Sequence, residues 1–474
     1  MPKRHTIVMP NLRTTRSHQV RLDGRKLPRW RTALFLRWVP FCALFLLIPN
    51  RSLGANGYYV STTGSDSNPC TQDKPCLTVQ HVIGMFTLAS DGAVIHVAAG
   101  TYTDFVDDSA LSPPCQGNLV WFCANRGGSS ASAQLTIQCD ESNWPNWLSG
   151  GGCVANPKGE GSVASFAEFN QGSWVTLKGF EYGNHSGAYL AIVGYGGGSY
   201  VGGTHITIAQ NYFHDVGQTA AGGCPEEGMI STTYTATGWI VAQNRLIHFG
   251  DDTIYCNYAH IIYSGNGVII QNNIIARAPG FGIQLYQADC DNVVTNNVIF
   301  DNRSGGIIVN NDNGNAECKA GANTITNNII ENNGVYAGGA PAGGTYGISQ
   351  HDIETYPNLY ANNILYGNYP SDACGGCKGT ISGNITNEPP STTFVNFQND
   401  GTGDYHNKTG SQSVEGGTSA GAGAPGCAGN CAPAVDFAGN PRPAIPGTNV
   451  DIGAYELGSK PPAAPSSLRV VSVK

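Results

Sequence analysis

The chain has 474 residues, 63 of them glycine, and only 12% are charged. Asparagine, serine and threonine carry the polarity, which excludes a coiled coil and an acidic disordered tail, and the glycines lack the period of collagen. Residues 1–55 hold eleven of the 25 lysines and arginines; without them 14 basic residues face 32 acidic ones, a formal charge of −18. Such a chain does not bind nucleic acid through its phosphates; a neutral or cationic partner, or bound calcium, suits it.

Residues 1–32 are basic, and ALFLRWVPFCALFLLIP at 33–49 is a short apolar run broken by Arg37. This pattern predicts an export signal cleaved after Ala55, with Met9 as an alternative start. An uncleaved anchor is the rival, and the run is short for a span. Cys42 lies inside this leader. The other 14 cysteines are even in number and fall in short couples, the habit of disulfides made in an oxidising compartment. Loop length and neighbourhood give the expected pairs Cys70–Cys76, Cys115–Cys123, Cys139–Cys153, Cys224–Cys256, Cys290–Cys318, Cys374–Cys377 and Cys427–Cys431. The CGGC at 374–377 reads as a structural clip.

After the leader, SDSNPCTQDKPCLTVQHVIGMF predicts a disulfide-clipped turn and a short helix from about Thr78. Residues 110–170, rich in glycine and with four cysteines, read as broad loops. The middle of the chain then repeats: GWIVAQNRLIHF at 238, NGVIIQNNIIAR at 266, DNVVTNNVIFDN at 291, ANTITNNIIENN at 322 and NLYANNILYGN at 358. Asn244, Asn273, Asn297, Asn328 and Asn363 are 29, 24, 31 and 35 residues apart, a repeat with insertions. A second short motif lies between the units: GMIS at 228, HIIY at 260, GIQL at 282, GIIV at 306 and GISQ at 347. Strands this short cannot bury a face alone. Stacked as about ten coils of a parallel β-helix over 56–457 they can, and asparagines at one corner can bond from coil to coil. Propeller blades need more strands per unit. NHS, NRS, NIT and NKT at 184, 302, 384 and 407 read as corner residues rather than glycosylation sites.

YYVSTTGSDSNPCTQDKPCLTVQHVI with AVIHVAAGTY at the start, the NN repeats, and DFAGNPRPAIPGTNVDIGAYE at 436–456 together resemble the secreted right-handed parallel β-helix proteins of the pectate-lyase-like superfamily. The resemblance implies an all-β solenoid. It leaves activity open, because that group includes pectate and alginate lyases, glycoside hydrolases, epimerases and surface proteins. The chain has GDD at 250–252 but lacks the Gly-His-Gly and Arg-Ile-Lys of polygalacturonases. Residues 458–474 read as a linker-like tail.

Chemistry concentrates between residues 214 and 263. Glu226 and Glu227 lie in one unit, Asp251 and Asp252 in the next, and a Cys224–Cys256 bridge would bring the acids together. Carboxylates one coil apart suit acid and base work on a glycosidic bond or a shared calcium ion. His260 and Tyr263 would orient the sugar or move a proton. His214, Asp215, Arg245, His248, Gln284, Tyr286, Asp289, His351 and Asp352 extend a polar stripe on which a glycan could lie. The expectation is a monomeric, exported enzyme acting on an extracellular polysaccharide, a hydrolase ahead of a calcium-dependent lyase that would set Arg245 against a uronate. A surface protein that binds glycan without cutting it is the non-enzymatic alternative.

Overall fold

The computed structural model describes residues 57–457 apart from 87–91, 108, 110, 112–114, 116–118, 148–150, 158–163, 188–189, 195–201, 226, 233–235, 312–320, 336–344, 352–356 and 419–431, and without the side chains of 164, 220, 221, 287–289 and 311. The expected export signal and the tail lie outside these residues. Among the described residues no helix is long and apolar enough to cross a membrane.

Each coil gives one short strand to each of three sheets. Ile240–Ala242, Arg245–Phe249 and Ala259–Asn266 make one coil; Ile269–Gln271, Ile274–Ala276 and Phe281–Cys290 make the next. Sheet I stacks eleven such strands, from Gly57–Val60 to Gly379–Ser382. Sheet II, which contains Arg245–Phe249, and sheet III, which contains Ala259–Asn266, have nine each. Pairing within them is parallel, except where Val106–Asp107 meets Leu119–Cys123. The coils wind right-handed, the sense such crossovers favour. The expected parallel β-helix is the fold.

The repeated asparagines explain the register. Asn211, Asn244, Asn273, Asn297, Asn328, Asn363 and Asn384 form a continuous buried ladder. Each backbone N–H and side-chain amide donates to the Oδ1 of the next asparagine at 2.9–3.1 Å. Two further ladders, Asn292–Asn323–Asn358 and Asn302–Asn333–Asn368, mark the other two corners. The chain turns into the main ladder through left-handed residues, Gln243 (φ 57°), Asn272 (φ 53°), Asn296 (φ 56°), Asn327 (φ 57°) and Asn362 (φ 54°). Asparagine and glycine tolerate that conformation best. Asn302 and Asn384 of the glycosylation-like triplets are ladder members.

Residues 110–170 are more regular than their composition predicts. Leu119–Cys123, Leu135–Cys139, Cys153–Ala155 and Ala164–Glu168 are all coil strands. Their interior carries Trp121, Phe122, Phe166, Phe169 and Phe180 in edge-on and stacked contact instead of amides. The helix Val79–Met85 caps this end, with Thr78 accepting from the His81 N–H at 3.1 Å and Val79, Val82 and Ile83 buried.

The closing phrase does not stack on the last coil. Residues 390–418 and 432–457 form a strap folded back along the outer face of sheet II, where Phe394, Tyr405, Phe437, Ile452 and Tyr455 cover Ile274, Val298, Phe300, Ile329 and Ile364. That sheet is apolar on both faces, as the IIA and VIF strands show, so its outer face must be covered. The left-handed corner residues tie the strap down. Gln243, Asn272, Asn296, Asn327 and Asn362 donate to the carbonyls of Asp436, Val435, Asp451, Thr418 and Gly416 at 2.6–3.1 Å. In each couple the second residue thus builds the ladder and the first holds the strap.

Five of the expected disulfides are present: Cys70–Cys76, Cys115–Cys123, Cys139–Cys153, Cys224–Cys256 and Cys374–Cys377. Cys290 is also disulfide-bonded; Cys318, Cys427 and Cys431 lie outside the described residues.

Asn273→Ala tests the ladder. It orphans the buried N–H of Asn244 and one of its two amide hydrogens, the other still bonding the Ile208 carbonyl, at about 1–3 kcal/mol for each unsatisfied donor. The expected result is a fall of several kcal/mol in urea unfolding with an unchanged circular-dichroism spectrum of the native state.

Candidate functional site

With sheet II covered, the outer faces of sheets I and III meet solvent, and side chains of consecutive coils line a groove on sheet III. Its strands Glu227–Thr232, Ala259–Asn266, Phe281–Cys290, Gly305–Asn311 and Ile348–Gln350 run in parallel register, Ser231 beside Tyr263, Tyr263 beside Gln284, Gln284 beside Ile308, and Tyr286 beside Asn310. Five strands at the inter-strand spacing span about 19 Å. A concave groove of about 480 Å³ lies over them, lined among others by Glu227, His260, Tyr263, Gln284, Tyr286, Asn310 and His351.

Glu227 is the single carboxylate in that lining among the described residues. It sits at φ 74°, a conformation a non-glycine residue seldom takes, and accepts from Ser231 Oγ at 3.0 Å. Gly228 follows because a Cβ there would stand 2.8 Å from Tyr263 N and 2.9 Å from Tyr263 Cβ. That close approach sets Glu227 and Tyr263 on neighbouring strands. Burial, helped by the charge of Glu227, raises the Tyr263 phenol above its ordinary range, so it stays protonated.

His260 is fully buried at the groove floor, its ring 5.9 Å from Tyr263 and 5.7 Å from Phe281. Its Nδ1 accepts the Phe281 N–H at 3.1 Å. Burial pushes its pKa down to about 3, against a smaller opposing effect of Gln284. A neutral imidazole whose Nδ1 is already an acceptor carries its proton on Nε2. His260 is therefore neutral, with its Nε2–H toward Gln284, and is no base at neutral pH.

The other expected residues fall elsewhere. Asp252 does not line the groove; it is buried against Arg277 (Nε–Oδ2 2.6 Å), with His248 Nε2 at 3.6 Å and Arg303 Nη2 at 3.7 Å. The left-handed His248 (φ 64°) and Gly250 (φ 72°) turn the chain at this corner. Asp251 closes a local turn by accepting from the N–H and hydroxyl of Thr253. The Cys224–Cys256 bridge forms, but Asp251 and Asp252 do not join Glu227 in the groove. Arg245 is buried under the strap, its guanidinium 5.7 Å from the Tyr405 ring centre, and does not face a substrate. His214, Asp215 and His248 extend a charge chain across sheet II: His214 Nε2 to Glu181 at 3.3 Å, His214 Nδ1 to Asp215 at 2.7 Å, and His248 Nδ1 to Asp215 at 2.5 Å. Gln284, Tyr286 and His351 line the groove as expected. Glu226 and Asp352 lie outside the described residues, as does the side chain of Asp289.

The expected calcium set is not assembled by Glu227, Asp251 and Asp252. The one metal-like group among the described residues, Cys70, Cys76 and His81, contains a disulfide. Sequence reasoning missed Tyr255, Asn257, Tyr258, Phe281 and Thr345, which also line the groove. The first three were readable in YCNYAH, just before a groove strand; Thr345 carries no signal of its own.

The three parallel sheets define a right-handed parallel β-helix. A family model described as a protein of unknown function, DUF1565, matches residues 62–337, and the chain belongs to that family. No curated protein matches the sequence. Among solved structures, a complex of XylC with xylose is 14% identical over 65% of this chain and 66% of that chain, just under two thirds of its length, with a TM-score of 0.39. A rhamnogalacturonan lyase is 16% identical over 73% and 91% of the two chains, and the pectate lyase Pel9A 16% over 85% and 96%, each with a TM-score of 0.40.

The charge chain makes a pH prediction. Burial opposes the charge of His214, but bonds to Asp215 and Glu181 outweigh it and raise its pKa. Its contribution is full below the ordinary histidine pKa and is lost as pH rises through the raised value. Asp215, also opposed by burial, is depressed by His214 and His248; its contribution is present above the ordinary carboxylate pKa and is lost as pH falls toward the folded value. Stability measured by urea unfolding should decline from pH 6 to pH 8, and Asp215→Asn should flatten that decline.

Proposed function

We propose that the protein is a secreted carbohydrate-active enzyme that binds a segment of an extracellular polysaccharide along the sheet III groove and hydrolyses a glycosidic bond there. The observation that supports this reading best is the placing of Glu227, at a strained backbone position, beside a phenol kept protonated in a concave, aromatic-lined groove. The disulfides agree with an exported protein.

Hydrolysis fits these groups better than elimination does. Elimination needs a base to take the proton beside a uronate carboxylate and a cation to neutralise that carboxylate. His260 and Tyr263 both hold their protons, and although His351 also lines the groove, no lysine or arginine does so among the described residues to neutralise a uronate. In the hydrolytic reading Glu227 handles the proton at the glycosidic oxygen. Tyr263 donates to a sugar oxygen, while Asn310 and Gln284, the latter oriented by His260, bind hydroxyls. The second carboxylate such a reaction calls for is to be sought in Glu226, Asp289 and Asp352, which the sequence sets in or beside the groove strands.

The test is a polysaccharide panel scored for new reducing ends and for the ultraviolet absorbance of an unsaturated uronate. New reducing ends without that absorbance are expected. Glu227→Gln should lower the rate by about 100-fold or more, while Asp251→Asn should leave it near the parent value. Unsaturated products would replace hydrolysis by elimination, and binding without cleavage would make the groove a platform.

A further inference from the structure

The 251–258 loop is held rigidly yet leaves two large rings in solvent. Cys256 is bridged to Cys224 and donates its N–H to the Pro279 carbonyl at 3.1 Å. Asp251 N–H donates to the Gly223 carbonyl at 2.7 Å, and Asn257 Oδ1 accepts from Tyr255 OH at 2.7 Å and from Ser304 Oγ at 3.3 Å. Both ends of the loop are thus fastened to neighbouring coils. Tyr258 is nonetheless 68% exposed and Tyr255 39%, and both stand at the groove. Aromatic rings on a loop fastened at both ends give up less backbone freedom on binding than rings on a free loop.

Among the described residues Glu227 is the one carboxylate that lines the groove, and no lysine or arginine lines it. The nearby arginines are engaged elsewhere, Arg277 with Asp252 and Arg303 with Asp301 at 2.6 Å. A polyanionic glycan would meet like charge. The remaining polar lining, Asn257, Gln284, Asn310 and Thr345, both donates and accepts, as sugar hydroxyls require.

We infer that Tyr258 and Tyr255 form a fixed stacking lip for the apolar face of a sugar ring, and that the groove takes uncharged glycans in preference to polyuronates. This inference rests on the groove being the glycan site. The test uses calorimetry on the full chain with Glu227 intact, so that the groove keeps its charge, with chromatography to verify that each probe stays uncleaved during the titration. The probes are the hexasaccharides of β-1,4-glucan, β-1,4-xylan and β-1,3-glucan, with hexagalacturonate and hexamannuronate for comparison, each with calcium and with chelator. At least one uncharged hexasaccharide should bind, with little dependence on salt, and the uronates at least tenfold more weakly. Tyr258→Ala should weaken binding by about tenfold, Tyr258→Trp should restore it, and neither should alter thermal unfolding. Tyr258→Ala binding like its parent would overturn the lip, and uronates binding more tightly than the uncharged probes would overturn the preference. Failure of every glycan to bind would overturn the glycan-site reading itself, and this inference with it.

Discussion

The buried amide ladder is the constraint on which the molecule depends. Each ladder asparagine sits at the same corner of successive coils and accepts both a backbone N–H and a side-chain amide from its neighbour. A slip of one residue would leave several of these donors unpaired inside the helix, each at a cost near that of a lost hydrogen bond. The register is therefore fixed at one corner and inherited by all three sheets. That inheritance brings Ser231, Tyr263, Gln284 and Ile308 into one line on sheet III, although they are far apart in sequence.

The same corner decides which face is free. The residue before each ladder asparagine from Asn244 to Asn363 sits in a left-handed turn and holds the strap by a carbonyl. The strap hides the aliphatic outer face of sheet II, while the corresponding face of sheet III carries tyrosine, glutamine, asparagine and glutamate. Structure and chemistry are thus divided between two sheets of one solenoid. The early coils lack this ladder and are filled by stacked aromatics, which pack firmly without prescribing a corner amide.

How legible this was in the sequence follows from where each signal is stored. The ladder could be read because it repeats: Asn244, Asn273, Asn297, Asn328 and Asn363 announce themselves by spacing. Cysteine pairs in short loops were readable for a similar local reason. The strands of 119–168 were hidden, since their glycines and tryptophans look irregular until stacked. The acids misled because the Cys224–Cys256 bridge, which does form, does not carry Asp251 and Asp252 into the groove with Glu227. Asp252 lies past the left-handed His248 and Gly250, and its charge is spent on Arg277. Arg245 looked like a free cation because nothing near it in sequence reveals that Tyr405, 160 residues later, will cover it.

The most direct test of the account is a crystal structure of the Glu227→Gln protein soaked with an oligosaccharide that binds it. The account predicts sugar rings following the coil axis over Tyr263 and Tyr286, with a glycosidic oxygen within hydrogen-bond distance of the residue-227 amide. Sugar held elsewhere on the solenoid, with this groove empty, would contradict it.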